Sequence, residues 1–172
     1  MTRDQKTVTI GAGSGVAAML VAMVGLYQVL PSPSGLTDVG GRLGYALQAN
    51  AVAILPLLAA IVTVANARFL GGAIDPTLGR EDKAMQINGR VVDNTLQQFA
   101  LFLVGTLALS VSLSSAEMRV IAAAAIVFVV ARIVFWIGYR IHPLYRAPGM
   151  SATGYLNVGL LGFALWRAAT GA

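Results

Sequence analysis

The sequence predicts an all-α integral membrane protein that crosses the bilayer five times. Three observations carry that expectation. The chain is 57% hydrophobic and only 11% charged, whereas soluble domains carry roughly a quarter charged residues. Its apolar residues fall in five continuous runs, each near the ~20 residues a helix needs to cross a hydrocarbon core. The segments between them are rich in Pro, Gly, Ser and charge, as turns are. Spanning barrels use alternating stretches of about ten residues instead, so continuous runs favour helices, which satisfy their own backbone groups in lipid.

The first run, VTIGAGSGVAAMLVAMVGLYQVL at 8–30, follows the short basic segment MTRDQK. It exceeds the roughly 7–15 apolar residues of a cleaved leader, and no small-x-small site directly follows Leu30, so it reads as a retained span. Gly11 and Gly15 have the spacing that lets helices approach closely; a dinucleotide loop would need a preceding strand, and none is readable. The second run covers 43–70, where Pro56 is expected to kink the helix. Gly40 and Gly44, around its start, read either as a packing face or as a flexible loop. The third run is 90–113, the fourth 118–140 and the fifth 151–169. Residues 1–42 are therefore expected to be an N-terminal helix and linker, and 43–172 a four-helix membrane domain.

Composition also excludes chemistry. Cysteine is absent, which removes disulfides, thiolate metal sites and a cysteine nucleophile. His142 is the single histidine and has no acidic cluster near it in sequence, so no metal site is expected. The net charge of +5 does not point to nucleic acid, because the basic residues are scattered between apolar segments. With the N-terminus cytoplasmic, one side gathers Arg3, Lys6, Arg68, Arg80, Lys83, Arg90, Arg132, Arg140 and Arg146, and the other only Arg42, Arg119 and Arg167. The positive-inside rule favours that orientation, with a bacterial inner membrane as the expected location. Glu81 and Asp82, beside Arg80 and Lys83, read as solvated pairs in a loop.

Two polar stripes stand out. INGRVVDNTLQQF, at 87–99, reads as a passage from loop to helix and carries Arg90, Asn94 and Gln97 or Gln98 on one helical face. ARIVFWIGYR, at 131–140, places Arg132, Phe135 or Trp136, and Tyr139 at the same spacing. A guanidinium within the bilayer costs several kcal/mol unless it pairs or faces a wet cavity. Two such stripes near the same membrane face can share a polar crevice suited to an anionic ligand, since arginine binds carboxylates bidentately. The plainer reading stands beside it: Arg90, Arg140 and Arg146 taken singly can snorkel to headgroups, the amides can bridge helices, and Asp93 can pair with an arginine. Arg132, flanked by VFVVA and IVFWIG, is the hardest to place in lipid.

In these residues the chain resembles the MAPEG family, membrane-associated proteins in eicosanoid and glutathione metabolism that include microsomal glutathione transferases and the leukotriene and prostaglandin synthases. The family opens one helix with Arg-x-x-x-Asn-x-x-Glu; here that reads Arg90, Asn94, Gln97. A later helix ends in Arg-x-x-Tyr-x-x-x-Tyr with an arginine seven residues on; here that reads Arg132, Phe135, Tyr139, Arg146. The resemblance covers about residues 46–170, in a divergent bacterial-type form. It implies a left-handed four-helix bundle that forms a homotrimer, to which the first helix is an addition. It implies glutathione as co-substrate, held on the cytoplasmic side. Arg90 and Asn94 would bind the peptide backbone and carboxylates, and Gln97, Arg132 and Tyr139 would contribute, the last two from a facing helix of the adjacent subunit. Arg146 would sit by the sulfur as the catalytic residue. Arg68 falls near a carboxylate-binding arginine. The activity implied is a glutathione-dependent transferase or peroxidase that turns the thiolate on a lipophilic electrophile. Gln97 for glutamate, Phe135 for tyrosine and Val92 for a polar residue depart from the pattern, and a non-catalytic lipid-binding or assembly subunit is the alternative. A small transporter is disfavoured because the five runs show no internal repeat.

Overall fold

The computed structural model describes residues 1–171 and is helical throughout, with no strand among the described residues. Helix α1 spans Arg3–Val29, α2 Val39–Ala53, α3 Leu55–Leu70, α4 Lys83–Ser112, α5 Arg119–Ile141 and α6 Ala147–Thr170. The second apolar run is thus two helices in line. The break falls at Ile54, just before Pro56, which sits in the first turn of α3 where its missing N–H costs nothing. Together α2 and α3 make a 32-residue crossing element.

Helix α4 begins at Lys83, well before the expected 90. Asp82 caps it, accepting from the Met85 N–H at 2.8 Å, and Lys83, Ala84, Met85 and Gln86 are all good helix formers. The stretch 87–99 therefore lies wholly inside a helix rather than at a loop boundary.

Four elements are long and apolar enough to cross a membrane: α1, α2–α3, α4, and the segment Ser115–Ile141 that contains α5. Helix α6 has 24 residues, but Thr153, Tyr155, Asn157 and Arg167 are spaced along it so that no 18-residue stretch is as apolar as those four. It packs along α1, α4 and α5 all the same.

The core lies where α2, α4, α5 and α6 meet. Phe102 and Phe128 pack with their rings tilted and their centroids 4.6 Å apart, with Phe99 edge-on to Phe128 at 6.2 Å. Buried polar side chains tie the helices together. Asn50 donates from Nδ2 to Thr106 Oγ1 at 2.8 Å, and Asn157 donates to both the backbone and the side-chain oxygen of Gln98 at 2.9 Å. Such bonds contribute on the order of 0.6 kcal/mol each between membrane helices.

Helix α1 joins the bundle by backbone approach. A Cβ at Gly15 would run into the Pro148 carbonyl, and one at Gly11 would lie 3.3 Å from Ala147 and Pro148. Ser151 Oγ seals the contact by donating to the Ala12 carbonyl at 2.9 Å. Gly40 and Gly44, by contrast, meet no neighbouring helix; they belong to the first turns of α2, capped by Asp38, whose carboxylate accepts the Gly41 N–H.

Candidate functional site

Helices α4 and α5 bring the two polar stripes together within a single chain. A cleft of about 390 Å³ opens between them and the start of α6, lined by Arg90, Asp93, Asn94 and Gln97 from α4, and Phe135 and Tyr139 from α5. Arg146, in the 3-10 turn Pro143–Arg146, and Met150 complete its rim. The turn reaches the cleft because α5 and α6 are in near contact: Gly138 packs on the Tyr145 carbonyl and Gly149 on the backbone of Ala131 and Phe135, with no room for a Cβ at either.

Behind the cleft lies Arg132, only 1% exposed. Its Nη1 donates to Asn94 Oδ1 at 2.8 Å, and its guanidinium stacks on the Phe135 ring at 4.1 Å. Its Nε and Nη2 have no acceptor among the described residues. A buried cation with unsatisfied donors is expensive, and both side chains that Arg132 contacts here, Asn94 and Phe135, line the cleft. Arg146 lies over the Tyr139 ring at 4.7 Å. Two guanidinium groups, Arg90 and Arg146, therefore line the cleft and a third, Arg132, is buried behind its Asn94 and Phe135, against one lining carboxylate, Asp93, which forms no ion pair among the described residues.

Phe135 rather than Trp136 faces the cleft. Trp136 turns aside and donates its indole N–H to Asn88 Oδ1 at 3.0 Å. Gln97 lines the cleft, whereas Gln98 points to α6 and bridges to Asn157. Arg68 is not part of this cleft. It lies in a neighbouring one of about 610 Å³, shared with Arg90 and Asp93. Its guanidinium is held by Glu81 at 2.7 Å, so the reading of Glu81 as a solvated partner of Arg80 or Lys83 is corrected. Asp82 likewise serves as a helix cap and not in a surface pair.

Sequence reasoning missed Asn88, Met150 and the Glu81–Arg68 pair. Asn88 had a usable signal, since Asn88 and Trp136 are both polar-tipped residues in apolar helices. Glu81 had none, because its pairing depends on how residues 71–82 fold back over the end of α3. His142 Nδ1 accepts the Leu144 N–H and helps form the turn that carries Arg146.

Comparison with known proteins gives one match. A family model described as "MAPEG family" covers residues 45–166. No curated protein matches the chain, and no solved structure does.

Proposed function

The chain belongs to the MAPEG family, and from that premise we propose that it is a membrane-bound glutathione-dependent transferase whose cleft between α4 and α5 holds the tripeptide. The carrying observation is Arg132, a buried guanidinium with two unpartnered nitrogens behind a cleft ringed by Arg90 and Arg146. Glutathione brings two carboxylates, and charge-assisted bonds from guanidinium groups are among the strongest available to it. The cleft volume of about 390 Å³ lies within the range of small-molecule sites. Arg90, Arg132 and Asn94 bind carboxylate and peptide oxygens, with Gln97 and Tyr139 completing the set.

Arg146 supplies the chemistry. A free thiol has a pKa near 8.5, and an adjacent cation lowers it. The thiol proton leaves to solvent, and the thiolate attacks an electrophilic carbon of a molecule dissolved in the bilayer. A carbon–sulfur bond forms, and the leaving group departs with its electron pair. The chain offers no cysteine of its own for this step; its contribution is positioning and the field of Arg146. In this reading the protein is a five-span homotrimer of a bacterial inner membrane, with the cleft on the cytoplasmic side.

The test is the ultraviolet absorbance of bound thiolate in detergent. The wild-type protein gives the band with glutathione, and Arg146→Ala keeps its fold but loses it. Equal bands in both proteins overturn the role of Arg146.

One observation favours the non-catalytic alternative. Phe135 presents an apolar ring where the family has a hydroxyl, and that ring is packed on Arg132. A thermal-shift titration separates the two readings. Saturable stabilisation by glutathione supports the transferase, and none at millimolar ligand favours a lipid-binding subunit.

A further inference from the structure

Arg146 and Met150 border a second pocket besides the polar cleft. This pocket, of about 260 Å³, is walled by Val8 and Ala12 of α1 on one side and by Pro143, Leu144 and the first turn of α6 on the other. It exists because α1 is fixed at that height: Gly11 and Gly15 seat the helix on Ala147 and Pro148, and Ser151 ties the Ala12 carbonyl. The matched family region begins at residue 45, so α1 adds a wall from outside it. The two compartments differ in chemistry. The cleft is ringed by guanidinium and amide groups, whereas the pocket is apolar except for Ser151 and the shared Arg146.

We infer that the pocket between α1 and the α5–α6 turn is the subsite for the electrophile, and that α1 sets which electrophiles fit. The inference rests on the transferase reading and deepens it. A thiolate held by Arg146 lies at the boundary that Arg146 and Met150 give to both compartments, so an apolar molecule in the pocket presents its reactive carbon there. The volume falls below the ~300 Å³ lower bound typical of drug-sized ligand sites, which selects a compact acceptor: a single activated aromatic ring, not a whole fatty acid. With an aryl halide, the sulfur–carbon bond forms at the ring carbon bearing the halogen, and the halide leaves with the bonding pair.

The probe is S-(2,4-dinitrophenyl)glutathione, which carries the tripeptide and one ring together, compared with glutathione alone by titration calorimetry on the detergent-purified full chain. The wild-type protein is expected to bind the conjugate about tenfold more tightly than glutathione, the gain of burying one ring. Val8→Trp fills the pocket from an exposed position; it keeps glutathione affinity and loses the tenfold gain. Val8→Ala, which widens the pocket with little risk to folding, shifts preference severalfold toward a conjugate with a two-ring naphthylmethyl group. If the wild type binds glutathione but gains nothing from the ring, or if neither variant changes the preference, the subsite is overturned and the transferase reading stands. If the wild type binds neither ligand, both fall.

Discussion

A guanidinium carries a fork of N–H donors, and at Arg132 the protein answers them with one acceptor, Asn94 Oδ1. Two substitutions separate what this arrangement does for folding from what it does for binding. Arg132→Met replaces the charge by an apolar chain of similar length; replacing buried ionic groups by hydrophobic ones is often neutral or stabilising. Its melting temperature is expected to stay level or rise, while glutathione affinity falls at least tenfold by calorimetry. Asn94→Leu leaves the guanidinium in place without its acceptor and is expected to destabilise by about 2–3 kcal/mol, read as a lower melting temperature. A fall in both variants would mean that Arg132 is there for the fold. Gln97 gives the opposite kind of test. It lines the cleft, and its side chain makes no hydrogen bond among the described residues, in a place where the family pattern has glutamate. Gln97→Glu restores charge assistance toward an ammonium, and a gain of about 1 kcal/mol tightens glutathione roughly fivefold. Unchanged affinity would show that the ligand's ammonium lies elsewhere. Both positions were legible in the sequence, because 3.6-residue periodicity alone puts Arg90, Asn94 and Gln97 on one face. Which of Phe135 and Trp136 turns to the cleft was not legible: the two are adjacent, and the choice is made by Asn88 on another helix.

Helix α4 organises the other elements. Along its length Asn88 serves Trp136, Asn94 serves Arg132, Gln98 serves α6 and Thr106 serves α2. Hydropathy located the apolar part of this helix and missed its polar first turns, since Lys83 to Gln86 are strong helix formers but weak membrane formers. The same measure merged α2 with α3, although Pro56 already named the place of the break. The spacing of Gly11 and Gly15 anticipated a close approach but not its partner, the start of α6. That contact predicts unequal effects for equal substitutions. Gly15→Ala drives a methyl group against the Pro148 carbonyl and is expected to cost about 1–3 kcal/mol, with α1 becoming more accessible to protease. Gly13→Ala points into open space and is expected to be neutral or to gain up to about 1 kcal/mol from helix propensity. Equal melting temperatures for the two variants would mean that α1 is not seated on α6.

The bundle has two ends of different character. At one, Arg42 donates to the Ser110 and Val111 carbonyls, Arg167 donates to the Ser112 carbonyl and pairs with Glu117 at 3.6 Å, and Arg119 lies over the Tyr27 ring at 4.2 Å. These are the three arginines that the charge count places on the outer side. Two of them bind the last carbonyls of α4, where a helix C-terminus attracts cations. Local capping therefore gives two of these three arginines a reason to sit at this end whatever the orientation, and the expectation of an inward cleft rests on the remaining basic residues. Ser32 and Ser115 reach across the same end, to the Ala116 and Pro33 carbonyls, which places the 30–38 and 113–118 connections together. The 71–82 and 142–146 connections lie at the opposite end with the cleft. Because the chain has no cysteine, single introduced thiols report topology directly. In intact bacterial spheroplasts, a membrane-impermeant maleimide is expected to label Ser34→Cys and Ala169→Cys, both exposed at the arginine-capped end, and to label Leu78→Cys only after lysis. Labelling of all three only after lysis would remove the outward placement of that end. Labelling of Ala169→Cys together with Leu78→Cys, and not with Ser34→Cys, would mean that α6, which lacks a stretch as apolar as the four candidate spans, turns back without crossing; the transferase cleft would then need a different wall at its membrane face.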